Sequence, residues 1–224
     1  DLPSDFNLPP APGPHVRPAS AVGPQAGRFA SGKPLVATSY FYWYDADTGE
    51  HVIDHDGTDA LTDHPPALEG FSYRNAAWHA QQLSDMIDAG IDVLLPVYWG
   101  TPLGDHGFSD AGLPPLVAAR QRLIAAGKHP PAIGMFYDTS TLQYNAGGYH
   151  VDLTTEPGRR WFYGSIRNCF SHIPPEHRAL VDGRPLVFLY AAAFAKRVDG
   201  ELFPAVREMF RRDFGTDLFL VKMR

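Results

Sequence analysis

Five short runs, each apolar on both faces, recur along the chain with a helix-patterned stretch between each pair, and this alternation constrains the fold more than any other feature. The runs are Leu35 to Phe41, Ile91 to Val97, Ala132 to Tyr137, Leu186 to Tyr190 and Leu218 to Val221. Continuous apolar runs of this length suit parallel strands buried on both sides. Between them, Asn75 to Ala89, Pro114 to Ala126, Glu156 to Phe170 and Glu201 to Phe214 read as helices, and Gly90, Gly127 and Gly215 follow three of them as stop signals. Thr155 has the right chemistry for an N-cap, with Pro157 in the first turn.

Right-handed crossovers wind such an order either into a barrel or into an open sheet with helices on both faces. The first and last strand starts, Leu35 and Leu218, are 183 residues apart over four units. An eight-unit barrel at that spacing needs about 370 residues, within the range of barrels with insertions. The expected fold class is therefore α/β, of (β/α)8 TIM-barrel type, with the first five strands in this chain. A complete open-sheet domain is the alternative. The sequence ends at Arg224, directly after a strand, and domain boundaries prefer exposed linkers. The expectation is a piece of a longer protein.

Residues 1–33 are rich in Pro, Ala and Gly without a sustained period and read as a leader or linker ahead of a partial barrel domain at 34–224. The net charge of −6 and the scattered Lys and Arg argue against a nucleic-acid partner. No run reaches the ~18 apolar residues of a spanning helix, so membrane insertion is not expected. The single cysteine, Cys169, excludes an intrachain disulfide and reads as a buried structural thiol.

Function is signalled where strands end. The first strand runs into Tyr40-Phe-Tyr-Trp-Tyr-Asp45, and the second into Tyr98-Trp99 before Gly100. Parallel α/β proteins bind ligands at the C-terminal ends of their strands, and sugar rings offer flat C–H faces to aromatic side chains. Tyr42, Trp43, Tyr44, Tyr98, Trp99, Tyr137 and Tyr190 are thus candidate glycan-binding residues, each with a plain core role as its alternative. Asp138, directly after Tyr137, and Asp45 are the strand-end acids and the weak candidates for catalysis. Either can instead cap a turn.

The loop from His51 to His64 gathers His51, His55 and His64 with Asp54, Asp56, Asp59 and Asp63. His55 and His64 are candidates for hydrogen bonding to a sugar. Asp54, Asp56 and Asp59 are weak candidates for calcium, because their spacing departs from the EF-hand pattern. A solvated or substrate-covering loop is the default, and no cofactor is expected. No glycine-rich phosphate loop opens a helix and no Gly-x-Ser-x-Gly elbow occurs.

Three segments together carry a resemblance: residues 40–45 above, Phe71-Ser-Tyr-Arg-Asn-Ala-Ala-Trp-His79, and Ala89-Gly-Ile-Asp-Val-Leu-Leu-Pro-Val-Tyr-Trp-Gly100. The chain resembles the first half of glycoside hydrolase family 99-like proteins, the endo-α-mannosidase-type barrels and their bacterial relatives. The resemblance implies a (β/α)8 barrel, exported or displayed at the cell surface, acting on mannose-type or related glycans without a nucleotide cofactor. It also implies a catalytic pair of glutamates in a late Glu-Trp-His-Glu-like segment, and this sequence has none. Glu201 and Glu208 fall in a helix pattern and do not inherit the role.

Two readings follow. One is a secreted glycoside hydrolase-like protein whose catalytic glutamates lie beyond residue 224. The other is a non-catalytic surface or filament-associated glycan-binding or structural protein. The partner in both is a glycan or polysaccharide, with self-association or the remainder of the same polypeptide also open.

Overall fold

The computed structural model describes residues 1–17, 26–190 and 192–223. Its elements are β1 (Gly27–Phe29), β2 (Ala37–Tyr40), α1 (Ala76–Asp88), β3 (Val93–Tyr98), α2 (Gly107–Ala111), α3 (Leu113–Ala125), β4 (Ala132–Ile133), β5 (Met135–Asp138), α4 (Glu156–Ser171), β6 (Ala179–Val181), β7 (Arg184–Tyr190), α5 (Leu202–Phe214) and β8 (Phe219–Lys222). All five expected strands and all four expected helices are present.

Strands β2, β3, β4/β5, β7 and β8 lie side by side in chain order and pair in parallel. The third is split into β4 and β5 at Gly134, where a Cβ would come within 2.7 Å of the Leu95 side chain and 3.1 Å of the Leu186 carbonyl. The chain approaches both neighbours too closely there for any side chain. Each crossover carries a helix: α1, then α2 and α3, then α4, then α5. Asn75 caps α1 by accepting from the Ala77 amide at 2.9 Å, and Thr155 caps α4 by accepting from Gly158 at 3.1 Å.

The expectation of a closed barrel is met in part. This is a mixed α/β fold with eight strand segments in one sheet, and the sheet is not closed: β2 and β8 do not pair among the described residues. Two segments were not foreseen. Strand β6 forms an antiparallel hairpin with β7 through Asp182 and Gly183, both at positive φ, 50° and 74°. This is the geometry that an Asp-Gly pair favours. Strand β1 then pairs in parallel with β6.

The sheet has apolar layers on both sides. One faces the helices and holds Leu83, Leu116, Trp161, Phe162, Phe170 and Phe210. The other lines the concave side with Val93, Leu95, Ala132, Val181 and Leu186, flanked by partly buried Phe29, Phe136, Phe188 and Phe219.

The described part of the leader is irregular in backbone ahead of β1, which falls within it, and it packs on the domain along its length. Leu2, Phe6, Leu8 and Val16 pack against the helix-side core, and the Arg167 guanidinium donates to the Pro9 carbonyl at 2.7 Å. Apolar residues interspersed among the prolines give it something to bury. Residues 18–25 of the leader lie outside the described residues.

Candidate functional site

Side chains on a strand alternate between faces, and paired residues of parallel strands share a face. The register therefore sorts the strand-end aromatics. Ser39 is opposite Leu95, Val97 opposite Phe136, Phe136 opposite Phe188, and Phe188 opposite Val221. These residues mark the concave face. One step further along, Asp138 is opposite Tyr190. The β2 and β3 registers, continued past Tyr40 and Tyr98, align Trp43 with Trp99, and both rings also pack against the helix-side core. The C-terminal strand ends thus carry two neighbouring pairs, Trp43 with Trp99 and Asp138 with Tyr190.

The two tryptophans stack on each other, with ring centroids 4.6 Å apart and an interplanar angle of 22°. Rings this close leave no room for a sugar between them. A ligand meets an outer face or the edge of the pair. Phe41, 47% exposed, packs edge-on to Trp43 at 4.8 Å, while Tyr190, 37% exposed, stacks on Phe136 at 5.5 Å. The Trp99 indole N–H is buried and has no hydrogen-bond acceptor among the described residues. Such an unmet buried donor costs about 1–3 kcal/mol.

Asp138 is 8% exposed, and one carboxylate oxygen accepts from the Ser140 amide at 3.0 Å. The structure shows the capping role for this residue, at the end of β5. Thr139 adds a tie across the strands by donating its hydroxyl to the Tyr190 carbonyl at 2.5 Å.

Tyr42, Tyr98 and Tyr137 are placed differently from expectation. Each falls one residue out of phase with the concave layer, faces the helices and is fully buried. The Tyr42 hydroxyl donates to the Ser109 carbonyl at 2.6 Å, and that of Tyr98 to the Asp110 carboxylate at 2.7 Å. Burial pushes both phenols well above their usual range. Strand alternation splits a run of consecutive aromatics into wall and core, so these three form the support behind the site. Tyr44 stacks on Phe71 at 5.3 Å and is tilted against Trp43 with centroids 6.1 Å apart.

Asp45 is only 1% exposed. It accepts from Thr48 at 2.9 Å, from the Asp47 amide at 3.3 Å and from Arg74 at 3.4 Å. Burial by itself would raise its pKa, but hydrogen bonds from Ser72, Thr48, Asp47 and Arg74 hold the carboxyl below the ordinary range. It pins the loop after β2 and is sealed from solvent. The neighbouring Tyr73 hydroxyl donates to Glu50 at 2.7 Å; burial first and this bond second push it up to about 12.

In the acidic loop each aspartate serves its own turn. Asp54 accepts from His55 at 2.6 Å, Asp56 from Thr58 at 2.6 Å, and Asp59 from the Leu61 amide at 2.8 Å and from His64. The structure brings no three His, Cys, Asp or Glu side chains together as a metal cage among the described residues. His55 and His64 are exposed and joined to these aspartates.

Sequence reasoning noted His51 only as a member of the acidic loop and missed His106 and Phe108. Phe108 is edge-on to Trp43 and Trp99, with His51 4.8 Å and His106 5.9 Å from its ring. Both histidines adopt positive φ, 58° and 56°, a conformation uncommon outside glycine. No local pattern marks these residues, because α2, which carries Phe108, is only five residues long and lacks a side-chain cap.

The profile of a family described as "Domain of unknown function (DUF5010)" matches residues 18–224. The chain belongs to the DUF5010 family. No curated protein matches the DUF5010 chain in sequence. Among solved structures it is similar to the GH99 endo-alpha-mannosidase from Bacteroides thetaiotaomicron in complex with BIS-TRIS-propane, at 19% identity and a TM-score of 0.57, over 85% of this chain and 52% of that one. A second structure of the GH99 endo-alpha-mannosidase from that organism gives 16% identity and a TM-score of 0.53, over 84% and 55%. The DUF5010 chain thus spans about half the length of these structures. At such identities the likeness is one of fold.

Proposed function

We propose that the DUF5010 chain is the first five strands of a (β/α)8 barrel that binds a glycan at its strand ends, as a secreted or surface-displayed glycoside hydrolase-like protein. What supports the reading is that a stacked Trp43–Trp99 pair and the paired Asp138 and Tyr190 all come from the C-terminal ends of consecutive parallel strands. An aromatic surface beside a carboxylate suits a ring with apolar faces and polar rims. The fold likeness to an endo-alpha-mannosidase supports the substrate class. Extracellular location belongs to the same proposal, since polymeric glycans of this kind are met outside the cell.

Glycoside hydrolysis needs two carboxyl groups flanking the scissile bond, about 5–5.5 Å apart for retention and wider for inversion. The register places one, Asp138, at these strand ends. That favours a second reading in which the chain binds glycan without cleaving it, or in which the catalytic pair comes from elsewhere in a longer polypeptide. Calorimetric titration against mannose-, glucose- and galactose-containing oligosaccharides, with product analysis of the same mixtures, tests both. Binding to at least one class is expected, weakened by about 1–3 kcal/mol in Trp99→Ala. No binding by the wild-type chain to any class sinks the proposal, and products released by this chain alone sink the non-catalytic reading.

A further inference from the structure

The leader crosses the outer side of α4 and ends in a polar clasp. The Gly13 amide donates to the Ser171 hydroxyl at 2.9 Å, and the His15 amide to the Ser171 carbonyl at 2.9 Å. The His15 carbonyl in turn accepts from the buried Arg178 guanidinium at 3.3 Å. Upstream, Phe6 packs on Trp161 with centroids 5.6 Å apart. Beside the clasp runs an open groove of about 520 Å³ whose walls include Pro14, His15, Val117 of α3, His172 and Glu176.

The His15 imidazole is surrounded mainly by positive groups. Arg178, bonded to the His15 carbonyl, acts on the ring most strongly, followed among the charges that lower its pKa by His172 and Arg17; Glu176, which shares the groove wall, alone opposes them. His177, from the turn that carries Glu176, also feels the His15 charge. The groove residues contributed by α3 (Pro114, Val117, Ala118 and Gln121) are uncharged. His172 is itself 3.0 Å from the Asp110 carboxylate.

We propose that residues 12–16 form an acid-released latch: a proton on His15, held beside the Arg178 guanidinium, detaches the clasp from Ser171 and removes the leader's wall from the groove beside α3. Burial, then the field of Arg178, hold the imidazole below its usual 6.5, with Glu176 counteracting. The sign follows from linkage: a depressed docked value leaves docking unpenalised above 6.5 and weakens it as the pH falls below.

The test is hydrogen exchange at the Gly13 and His15 amides by NMR at two pH values on either side of 6.5, corrected for the intrinsic pH dependence of exchange. The Ile166 amide, inside α4, reports on unfolding of the whole domain. Protection of the two clasp amides is expected to fall at least about threefold more than that of Ile166 on acidification. In His15→Gln, which keeps every backbone bond, the difference should vanish. In Glu176→Gln, which removes the single opposing charge, it should grow. A flat wild-type response, a parallel loss at Ile166 or an equal fall in His15→Gln would overturn the latch.

Discussion

At the scale of single residues, neighbours one position apart do opposite work. Tyr190 lies on the concave face and Tyr42 on the helix side, although both are strand-end tyrosines. Tyr190→Ala is expected to weaken glycan affinity without lowering the melting temperature. Tyr42→Phe should remove about 1 kcal/mol of stability, the worth of one buried hydrogen bond, and leave affinity unchanged. Calorimetry with thermal unfolding reads both, and exchanged phenotypes would invert the facing assigned here.

That aromatic side chains gather at the strand ends is legible from residues 40–45 and 98–99, but which rings face the hollow depends on phase, and a run of consecutive aromatics hides it. His79 offers a second case. It is fully buried, its Nε2 faces the Tyr73 carbonyl at 2.7 Å, and its Nδ1 therefore accepts from the Tyr40 hydroxyl at 2.9 Å. Burial lowers its pKa from 6.5 to about 4. Stability tied to this neutral ring is present above 6.5 and drains away as the pH falls toward 4, by about 3 kcal/mol in all. Urea unfolding at pH 7 and pH 4.5 should show a smaller loss in His79→Gln than in wild type.

At the scale of elements, periodicity and caps carried most of the information. Strands and helices long enough to show a repeat were legible, with Asn75 and Thr155 marking two helix starts. Thr155→Ala should cost about 1 kcal/mol, measured by denaturant unfolding with an unchanged slope. Short pieces escaped. Strand β1 has three residues and α2 five, too few for any period to emerge. The β6–β7 hairpin did have a local signal in Asp182-Gly183, concealed because β7 alone looked like another parallel strand. Gly183 adopts a φ of 74°, so Gly183→Val should loosen the hairpin and lower the melting temperature. An unchanged melting temperature would mean the turn contributes little.

At the scale of the whole molecule, the concave side is an apolar trough of about 250 Å³ bordered by Leu35, Leu95, Leu186, Phe188, Phe219 and Val221. The chain order of the parallel strands was readable from the alternation of elements. Whether the sheet closes was not, because closure depends on pairing between β2 and β8 or on further strands between them. An exposed trough of this composition should bind the dye 1-anilinonaphthalene-8-sulfonate and enhance its fluorescence at neutral pH without denaturant. A signal no greater than that of an ordinary closed domain would show the face to be covered.

The strap has a geometric corollary at its far end. Asp1 contacts the Lys196 ammonium at 2.6 Å, and Lys196 belongs to the connection that leaves β7 just past Tyr190. A fluorophore or affinity tag joined ahead of Asp1 would thus emerge beside the connection between β7 and α5, and a bulky fusion would crowd that connection.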